Sequence, residues 1–353
     1  MQGLWWKTLG VMLLLYSLTA GMLLPLKTGI ADVNPRNAVL GSKVTLSVTG
    51  YNSRYTQYNQ GHAWLKLDSV NAIPASGFRA KDDRKLELDF AVPNYFPDNE
   101  TVHDVTLVID DPTDGVSIMP NAIFLSKDTL SKDSTKKGDW RLVIKDVHKR
   151  DGISFPYRNI LYETIRNTYF HVPMWFAMFA MLGMSVFYSL KYLQKSAYHY
   201  DVKSKAYAVI GTFFGVLGLV TGGLWAKHTW GQYFPMDVKI IMAAVAVLIY
   251  VAYFILRSSF EDMERQARIG AIYNIFGFAS LGPLLFVIPR LTSSLHPGNG
   301  GNPAFGSQDL DNSMRMIFYP ACIGWILMGL WISQILFRIY FIEDKLSETN
   351  SLS

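Results

Sequence analysis

Charged residues and cysteine are both scarce in this sequence. Only 17% of its 353 residues are charged, whereas 50% are hydrophobic and 14% are aromatic. Soluble domains carry about 25% charged residues, so this composition argues against a soluble protein of this size. The single cysteine, Cys322, excludes an internal disulfide and a Cys-x-x-Cys redox pair, and its apolar surroundings indicate a packing role.

Long apolar segments contain most of the hydrophobic residues. A helical span of a bilayer core requires about 20 apolar residues, and six segments are at or near that length. They lie at residues 9–26, 172–190, 206–226, 240–256, 269–289 and 316–337. Each is predicted to be a transmembrane helix, because backbone polar groups in hydrocarbon must pair within their own segment. For the first segment, a cleaved signal peptide is the alternative, since Lys7 precedes it and small residues lie near its end.

The charges between the apolar segments predict their orientation. Lysines at 191–205 and arginines at 257–268 make two short loops more positive than the short loops on the opposite side. Such loops are retained in the cytoplasm, so both termini are predicted to be cytoplasmic. Residues 31–150, the segment after the third span and the loop at 298–313 then lie outside. The net charge of +5 has the same origin and therefore does not imply a nucleic-acid partner.

Residues 31–150 have a different pattern from the rest of the chain. Short alternating runs rich in β-branched residues predict strands. These runs lie at 43–48, 63–67, 85–92, 105–109, 116–125 and 140–147. Turn-forming pairs such as Asp114-Gly115 separate them, and their regular spacing predicts a β-sandwich of the Ig-like kind. Residues 126–138 are predicted to be a loop. The three histidines of this region, His62, His103 and His148, are isolated from one another in the sequence.

The predicted fold is an α-helical polytopic membrane protein of six transmembrane helices with an inserted extracytoplasmic β-sandwich domain. We divide the sequence into five parts. They are a first transmembrane helix at 1–30, the β-sandwich at 31–150, an interfacial connector at 151–171, a five-helix membrane domain at 172–340 and a cytoplasmic tail at 341–353.

A segment rich in aromatic residues joins the third and fourth spans and is predicted to be a loop at the outer face. It contains Trp225, Lys227, His228, Trp230, Gly231, Tyr233, Phe234 and Asp237. Flat rings beside a cation, an imidazole and a carboxylate would suit a large flat amphiphile with a metal at its centre. Lys227, Lys239 and Arg290 could pair with its anionic groups or simply anchor helix ends. Asp237 could orient a ligand or cap the fourth helix.

Two histidines end separate spans on the same predicted side as the aromatic segment. His171 begins the second span, and His296 follows the fifth. Neutral imidazoles are good iron ligands, and two facing imidazoles can hold a haem iron from both sides. An interfacial hydrogen-bonding role is the alternative for each. His228 could be a third ligand, a proton donor or neither.

The same residues carry a family resemblance. Trp225-Ala-Lys227, Trp230-Gly231 and Asp237 resemble the tryptophan-rich signature of the haem-handling membrane proteins of cytochrome c maturation, the CcmC/CcsA type. Tyr233, Phe234 and Met236 replace three tryptophans of that signature. His-Val-Pro at 171–173 matches the first external histidine motif, and Leu295-His296 with Gly298 resembles the second. The similarity covers residues 165–340 and the placement of the first helix.

The resemblance implies a function for these residues. Haem b would be bound transiently as cargo, with His171 and His296 on its iron, and then handed to a haem chaperone or an apocytochrome. The haem-contacting residues would be Trp225, Lys227, Trp230, Gly231, Tyr233, Phe234, Asp237 and Lys239. The implied partners are a membrane-anchored haem chaperone, a small single-span subunit, an ABC transporter and apocytochrome c, and the implied location is the inner membrane. No catalytic role is implied, apart from a synthetase-like variant that attaches haem to cytochrome c.

A transporter or channel without a haem site is the alternative from another functional class. Transport through a membrane usually requires polar groups within the spans. The apolar segments contain almost none beyond Asn274 and Gln334. The sequence therefore favours binding at one face over passage through the membrane.

Overall fold

The computed structural model describes residues 3–98, 100–127, 137–140, 142–149, 152–159, 161–296 and 310–351. It consists of two compact units, one formed by Met1–Leu24 with Glu163–Ser353 and the other by Pro25–Tyr162. The second unit is longer at both ends than the predicted β-domain, because it takes in residues 25–30 of the segment assigned to the first helix and residues 151–162 of the predicted connector. Most of the loops predicted at 126–138 and 298–313, including Gly298, lie outside the described residues.

The first unit is helical. Within the described residues, six helical stretches are long and apolar enough to cross a membrane, which confirms the six predicted spans. The helices are α1 (Leu4–Leu23), α2 (Thr168–Lys195), α3 (Tyr198–Trp230), α4 (Val238–Ser258), α5 (Met263–Gly282), α6 (Ile288–Leu291) and α7 (Asn312–Ser351). A π-helical turn, Pro283–Val287, joins α5 to α6, and a 3₁₀ turn, Tyr162–Asn167, precedes α2.

Two helix ends differ from the prediction. α3 continues to Trp230, so the prediction of a loop beginning near Trp225 was wrong, and Gly231 ends the helix with a φ of 80°. Gly231 supplies the left-handed conformation that commonly ends a helix. α7 continues through residues 341–351, which the sequence assigned to a tail.

The packing of α2 against α3 depends on glycine. The spacing of Gly211, Gly215, Gly218 and Gly222 predicts a face for close helix packing, and the structure confirms it. A Cβ added at Gly218 would lie 2.8 Å from the Trp175 ring, and one added at Gly222 would lie 2.7 Å from Cε1 of His171. The small residues of α3 therefore make room for large side chains of α2.

A buried polar cluster connects α2, α3, α4 and α5 near the opposite end of α3 from Trp230. Asp201 and Arg257 form an ion pair of 2.7 Å, and both side chains are buried. Asn274 donates to the hydroxyls of Ser185 (2.7 Å) and Ser189 (2.9 Å) and accepts from Tyr250 (3.1 Å). The Asp201–Arg257 pair was not predicted, because in the sequence both residues only flank apolar segments.

Arg166 holds the end of α1 close to the start of α2. Its guanidinium donates to the carbonyl oxygens of Gly21 and Leu24, both at 2.8 Å. These carbonyls are left without partners where a helix ends, so the contact caps α1. The two points where the helical unit joins the inserted unit, Leu24 and Glu163, are therefore neighbours.

The second unit contains two sheets. Its strands are β1 (Gly29–Asn34), β2 (Asn37–Val39), β3 (Lys43–Tyr51), β4 (His62–Lys66), β5 (Ala72–Pro74), β6 (Gly77–Ala80), β7 (Lys85–Ala91), β8 (Val102–Asp110) and β9 (Ser117–Ser126). The four-stranded sheet has the order β1-β3-β7-β6, and the five-stranded sheet has the order β2-β9-β8-β4-β5. β2 pairs with β9 in parallel, and the other pairs are antiparallel.

Alternating residues of both sheets belong to one hydrophobic cluster. Leu46 and Leu88 of the first sheet and Leu65 and Leu107 of the second are all fully buried. The predicted strands at 43–48, 63–67, 85–92, 105–109 and 116–125 are confirmed, with ends that differ by at most three residues. The Ig-like sandwich itself stays a prediction.

The strand predicted at 140–147 is wrong, because the described residues there belong to neither sheet. Trp140 is nevertheless buried, and its indole Nε1 donates to the Tyr95 carbonyl at 2.7 Å. The apolar residues that suggested a strand are thus used partly to fill the core. Later in the same segment, His148 has Nδ1 2.8 Å from an oxygen of Asp110, the last residue of β8.

Candidate functional site

A cavity of about 440 Å³ lies among α2, α3, α4 and the α5–α6 region. This volume is within the usual range for small-molecule sites, about 300–1,000 Å³. The wall is mainly aromatic and aliphatic, with Trp175, Phe176, Phe179, Tyr233, Phe234, Leu285 and Phe286 among its residues. The polar side chains that line it are His171, Lys239, Arg290 and His296. The structure thus brings the two predicted ligand histidines to one cavity.

His171 lies in the first turn of α2 and is held by α3. Its Nδ1 is 3.0 Å from the carbonyl oxygen of Gly218 and 3.2 Å from the hydroxyl of Thr221. A carbonyl oxygen can only accept, so Nδ1 carries the proton and Nε2 keeps its lone pair. Gly222 leaves space for the ring.

Asp237 fixes His296 to the start of α4. It is the N-cap of α4, where Oδ1 accepts from the Lys239 backbone N–H at 3.0 Å. The same oxygen is 2.9 Å from Nδ1 of His296 and 3.1 Å from the Ser294 hydroxyl, and Oδ2 accepts from the Leu295 N–H at 2.7 Å. Because a carboxylate accepts, His296 also has its proton on Nδ1 and its lone pair on Nε2.

The surroundings of His296 and Asp237 lower the pKa of both groups. Burial lowers the pKa of His296 below its ordinary value of 6.5, although Asp237 acts in the opposite direction. Burial alone would raise the pKa of Asp237, but hydrogen bonds from Leu295 and Ser294 and the attraction of His296 outweigh it, so the pKa is lowered. At neutral pH, His296 is therefore a neutral imidazole and Asp237 is ionised.

The aromatic residues predicted to contact the ligand lie in two places, on the cavity wall and behind the histidines. Tyr233 and Phe234 line the cavity. Trp225 and Trp230 are not among the described lining residues, but their rings contact the histidines. The ring centroids of Trp230 and His296 are 4.9 Å apart, and Trp225 is 6.2 Å from His296 and 6.5 Å from His171. Trp225 and Trp230 therefore support the histidine rings.

Of the three cations predicted to pair with the ligand, only two line the cavity. Lys239 and Arg290 line the cavity. Lys227 instead donates to the Gly231 carbonyl at 3.0 Å and lies over the Tyr233 ring, 5.4 Å from its centroid. It thus stabilises the turn after α3. His228 is exposed and is not among the described residues of the cavity wall.

The part of the cavity wall that α2 and the π-helical turn contribute was not predicted. Val172, Trp175, Phe176 and Phe179 all line the cavity, and their helical spacing from His171 is the signal that could have identified them. Leu285 and Phe286 lie in the π-helical turn, whose altered register no simple periodicity indicates. Among the described residues, no group of three or more His, Cys, Asp or Glu side chains could hold a bare metal ion.

Comparison with known proteins identifies the part of the chain that begins shortly before α2. The model of the family described as heme exporter protein C matches residues 156–351. Heme exporter protein C of Bradyrhizobium diazoefficiens is 29% identical over 166 residues, which cover 47% of this chain and 62% of that protein. The Escherichia coli K12 protein of the same name is 26% identical over 170 residues, or 47% and 66% of the two chains.

A putative cytochrome c biosynthesis ccmC-like mitochondrial protein of Marchantia polymorpha is 25% identical over 184 residues, which cover 51% of this chain and 77% of that protein. The matches to the Bradyrhizobium and Escherichia proteins cover less than two thirds of those proteins' length. The family match begins at residue 156 and thus leaves out nearly all of the second unit, Pro25–Tyr162, which we call the β unit. Because it includes more than half of the sequence, this chain belongs to the heme exporter protein C family.

Proposed function

We propose that this protein binds haem in the cavity, with His171 and His296 as the two axial ligands of its iron, and passes it on during cytochrome c maturation. The observation that carries the proposal is the presence of two imidazoles from different elements on one cavity wall. Both have Nδ1 bonded to a protein acceptor, so both have Nε2 available for iron.

The remaining lining residues also fit haem. The macrocycle is flat and apolar, and the aromatic side chains of Trp175, Tyr233 and Phe234 offer it stacking and apolar contact. Haem also carries two carboxylates, and Lys239 and Arg290 supply two cations at the same cavity. Lys227 is proposed to act indirectly, through the turn at Gly231 and the ring of Tyr233.

The names of the relatives support a place in haem export and cytochrome c biosynthesis. We propose that the cargo is haem b and that a membrane-anchored chaperone or apocytochrome c receives it. The proposed assembly includes a small single-span subunit and an ABC transporter in the inner membrane, with both termini of this chain cytoplasmic. The chain's own residues hold and release haem, and we assign them no catalytic step.

For the β unit we propose an accessory docking role on the outer side of the membrane. It lies almost wholly outside the family match, so the family's shared function does not require it. We propose that its two sheets, whose inner residues share one hydrophobic cluster, form the predicted sandwich.

The alternative of a transporter or channel has one observation in its favour, the buried polar cluster of Asp201, Arg257 and Asn274. Arg257 is bonded to Asp201, and Asn274 is bonded to Ser185. None of these side chains is among the described residues that line the cavity. They therefore do not form a continuous polar route with the histidines.

An absorption spectrum of the purified full-length protein tests the proposal. We expect bound haem in the wild type, altered iron coordination in His171→Ala and His296→Ala, and loss of most haem in the double variant. His228→Ala is the matched control, because this exposed histidine is outside the cavity wall, and its spectrum should equal that of the wild type. A wild type without haem, or a spectrum abolished by His228→Ala and unchanged by His296→Ala, would contradict the proposal.

A further inference from the structure

The two histidines differ in the charge of the group that accepts their Nδ1 proton. The acceptor for His296 is the buried carboxylate of Asp237, at 2.9 Å. The acceptors for His171 are uncharged, the Gly218 carbonyl and the Thr221 hydroxyl. A carboxylate attracts the Nδ1 proton more strongly than a carbonyl does, which leaves more electron density on the ring and makes Nε2 a stronger donor to a metal.

We infer that the two sides of the site are unequal, with His296 as the anchoring ligand and His171 as the ligand that leaves first. This inference rests on the proposed function. A strong donor on one side of an iron weakens the bond on the opposite side, so the His171 bond is the weaker one. Asp237 is then a positioning residue, because it acts on the iron through His296.

The surroundings of Asp237 favour this role. Its carboxylate is buried and receives two backbone N–H groups and one hydroxyl besides the imidazole. These bonds hold the charge in place and orient His296, which lies in a segment without helix or strand. His171, in contrast, is already oriented by α2 and needs no charged partner.

Each histidine can be studied alone in a full-length variant that lacks the other one, reconstituted with haem whose iron is then reduced. His171→Ala leaves His296 on the iron, and His296→Ala leaves His171. We expect a higher iron–histidine stretching frequency, measured by resonance Raman scattering, in His171→Ala than in His296→Ala. Equal frequencies, or the opposite order, would overturn the inference.

Asp237→Asn tests the origin of the difference, since it removes the charge and keeps the size of the side chain. In the His171→Ala background it should lower the frequency towards that of His296→Ala. In the otherwise wild-type protein it should weaken haem binding by about 10- to 100-fold, as expected for the loss of a group that orients a metal ligand. Ser294→Ala is the control, because it removes the hydroxyl that bonds Asp237 and the His296 backbone N–H but leaves the carboxylate charge and its contact with the imidazole. An equal shift in Ser294→Ala would assign the effect to the loop and overturn the role of the charge.

If the single histidine variants lose their haem, carbon monoxide bound to the reduced wild-type protein gives the same comparison. Carbon monoxide should displace His171 and leave His296 opposite, so Asp237→Asn should shift the C–O stretching frequency and Thr221→Val should not. The reverse pattern overturns the inference while leaving the proposed haem site intact. A wild type that binds no haem overturns both.

Discussion

At the scale of single residues, the site depends on atoms that place the histidine rings. Gly222 faces His171 so closely that a methyl group would lie 2.7 Å from Cε1 of the ring. Asp237 holds His296 through a hydrogen bond and also caps α4. Gly222 and Asp237 can thus decide whether the two imidazoles face the same cavity.

Gly222→Ala should therefore weaken haem binding and disturb the iron coordination on the His171 side. The added methyl group displaces a half-buried ring, which would have to give up its bond to Gly218 to move away. Haem titration and the absorption spectrum measure both effects. Gly183→Ala on α2 is the control, since its Cβ would be 3.7 Å from Phe278, an ordinary contact. A Gly222→Ala protein with wild-type affinity would show that the ring has another position available.

The lowered pKa of His296 predicts a pH dependence of stability. Below its ordinary pKa of 6.5, the unfolded chain takes up a proton that the folded protein accepts only at lower pH. The free energy of unfolding should therefore decrease as the pH falls from 6.5 through the lower pKa of the folded protein. Thermal unfolding between about pH 8 and pH 5 should show this loss in the wild type, and His296→Gln should reduce it. An identical pH profile for the variant would contradict the assignment.

At the scale of helices and strands, the sequence predicted most elements and missed those that depend on distant partners. The six spans and five of the strands follow from local periodicity. The continuation of α3 through Trp225 to Trp230 was missed because Lys227 and His228 look like the end of an apolar span. Asp201 and Arg257 lie 56 positions apart, so no local pattern indicates that they pair.

The same limit applies to the site. His171, His296, Asp237 and the aromatic residues were identified from their types and motifs. The hydrogen bond from His171 to a carbonyl of α3, and the one from His296 to Asp237, depend on how helices pack. The sequence therefore predicted the candidate residues, and the fold was needed to show which of them line the cavity and which contact the histidines.

The Asp201–Arg257 pair should be important for the stability of the bundle. Its side chains are only 5% and 6% exposed, so Arg257→Leu leaves a buried carboxylate unpaired, at a cost of about 3–5 kcal/mol. Replacing both residues with leucine should lower the free energy of unfolding by less than Arg257→Leu alone. In each variant, the fraction that still folds should bind haem with the wild-type spectrum. Thermal denaturation in detergent measures the difference. For comparison, Arg36→Leu in the β unit breaks a pair with Asp32 that is more than half exposed and should contribute at most about 1 kcal/mol. Equal losses for both arginines would contradict the prediction.

At the scale of the whole molecule, the chain joins a helical unit, most of which lies within the family match, to a β unit that lies almost wholly outside it. The helical unit contains all the described residues that line the cavity. The β unit has its own hydrophobic cluster, which includes the fully buried Leu46 and Leu107. Each unit therefore has the core that independent folding requires.

Removal of residues 25–162, with a short linker between Leu24 and Glu163, should leave haem binding intact and impair transfer to the acceptor. The linker can be short because Arg166 already holds the carbonyl of Leu24. The absorption spectrum measures binding, and haem transfer to the acceptor measures delivery. A shortened protein that inserts and folds but binds no haem would show that the β unit belongs to the site.

The contact of Arg166 with the end of α1 also has an evolutionary consequence. Because Leu24 and Glu163 are neighbours in the helical unit, a single insertion at that point could introduce a domain of any length without changing the order of the helices. Its loss would be equally simple. Mutations could then accumulate within the insert, and new binding specificities could arise there, while the ancestral helices stayed under their own selection.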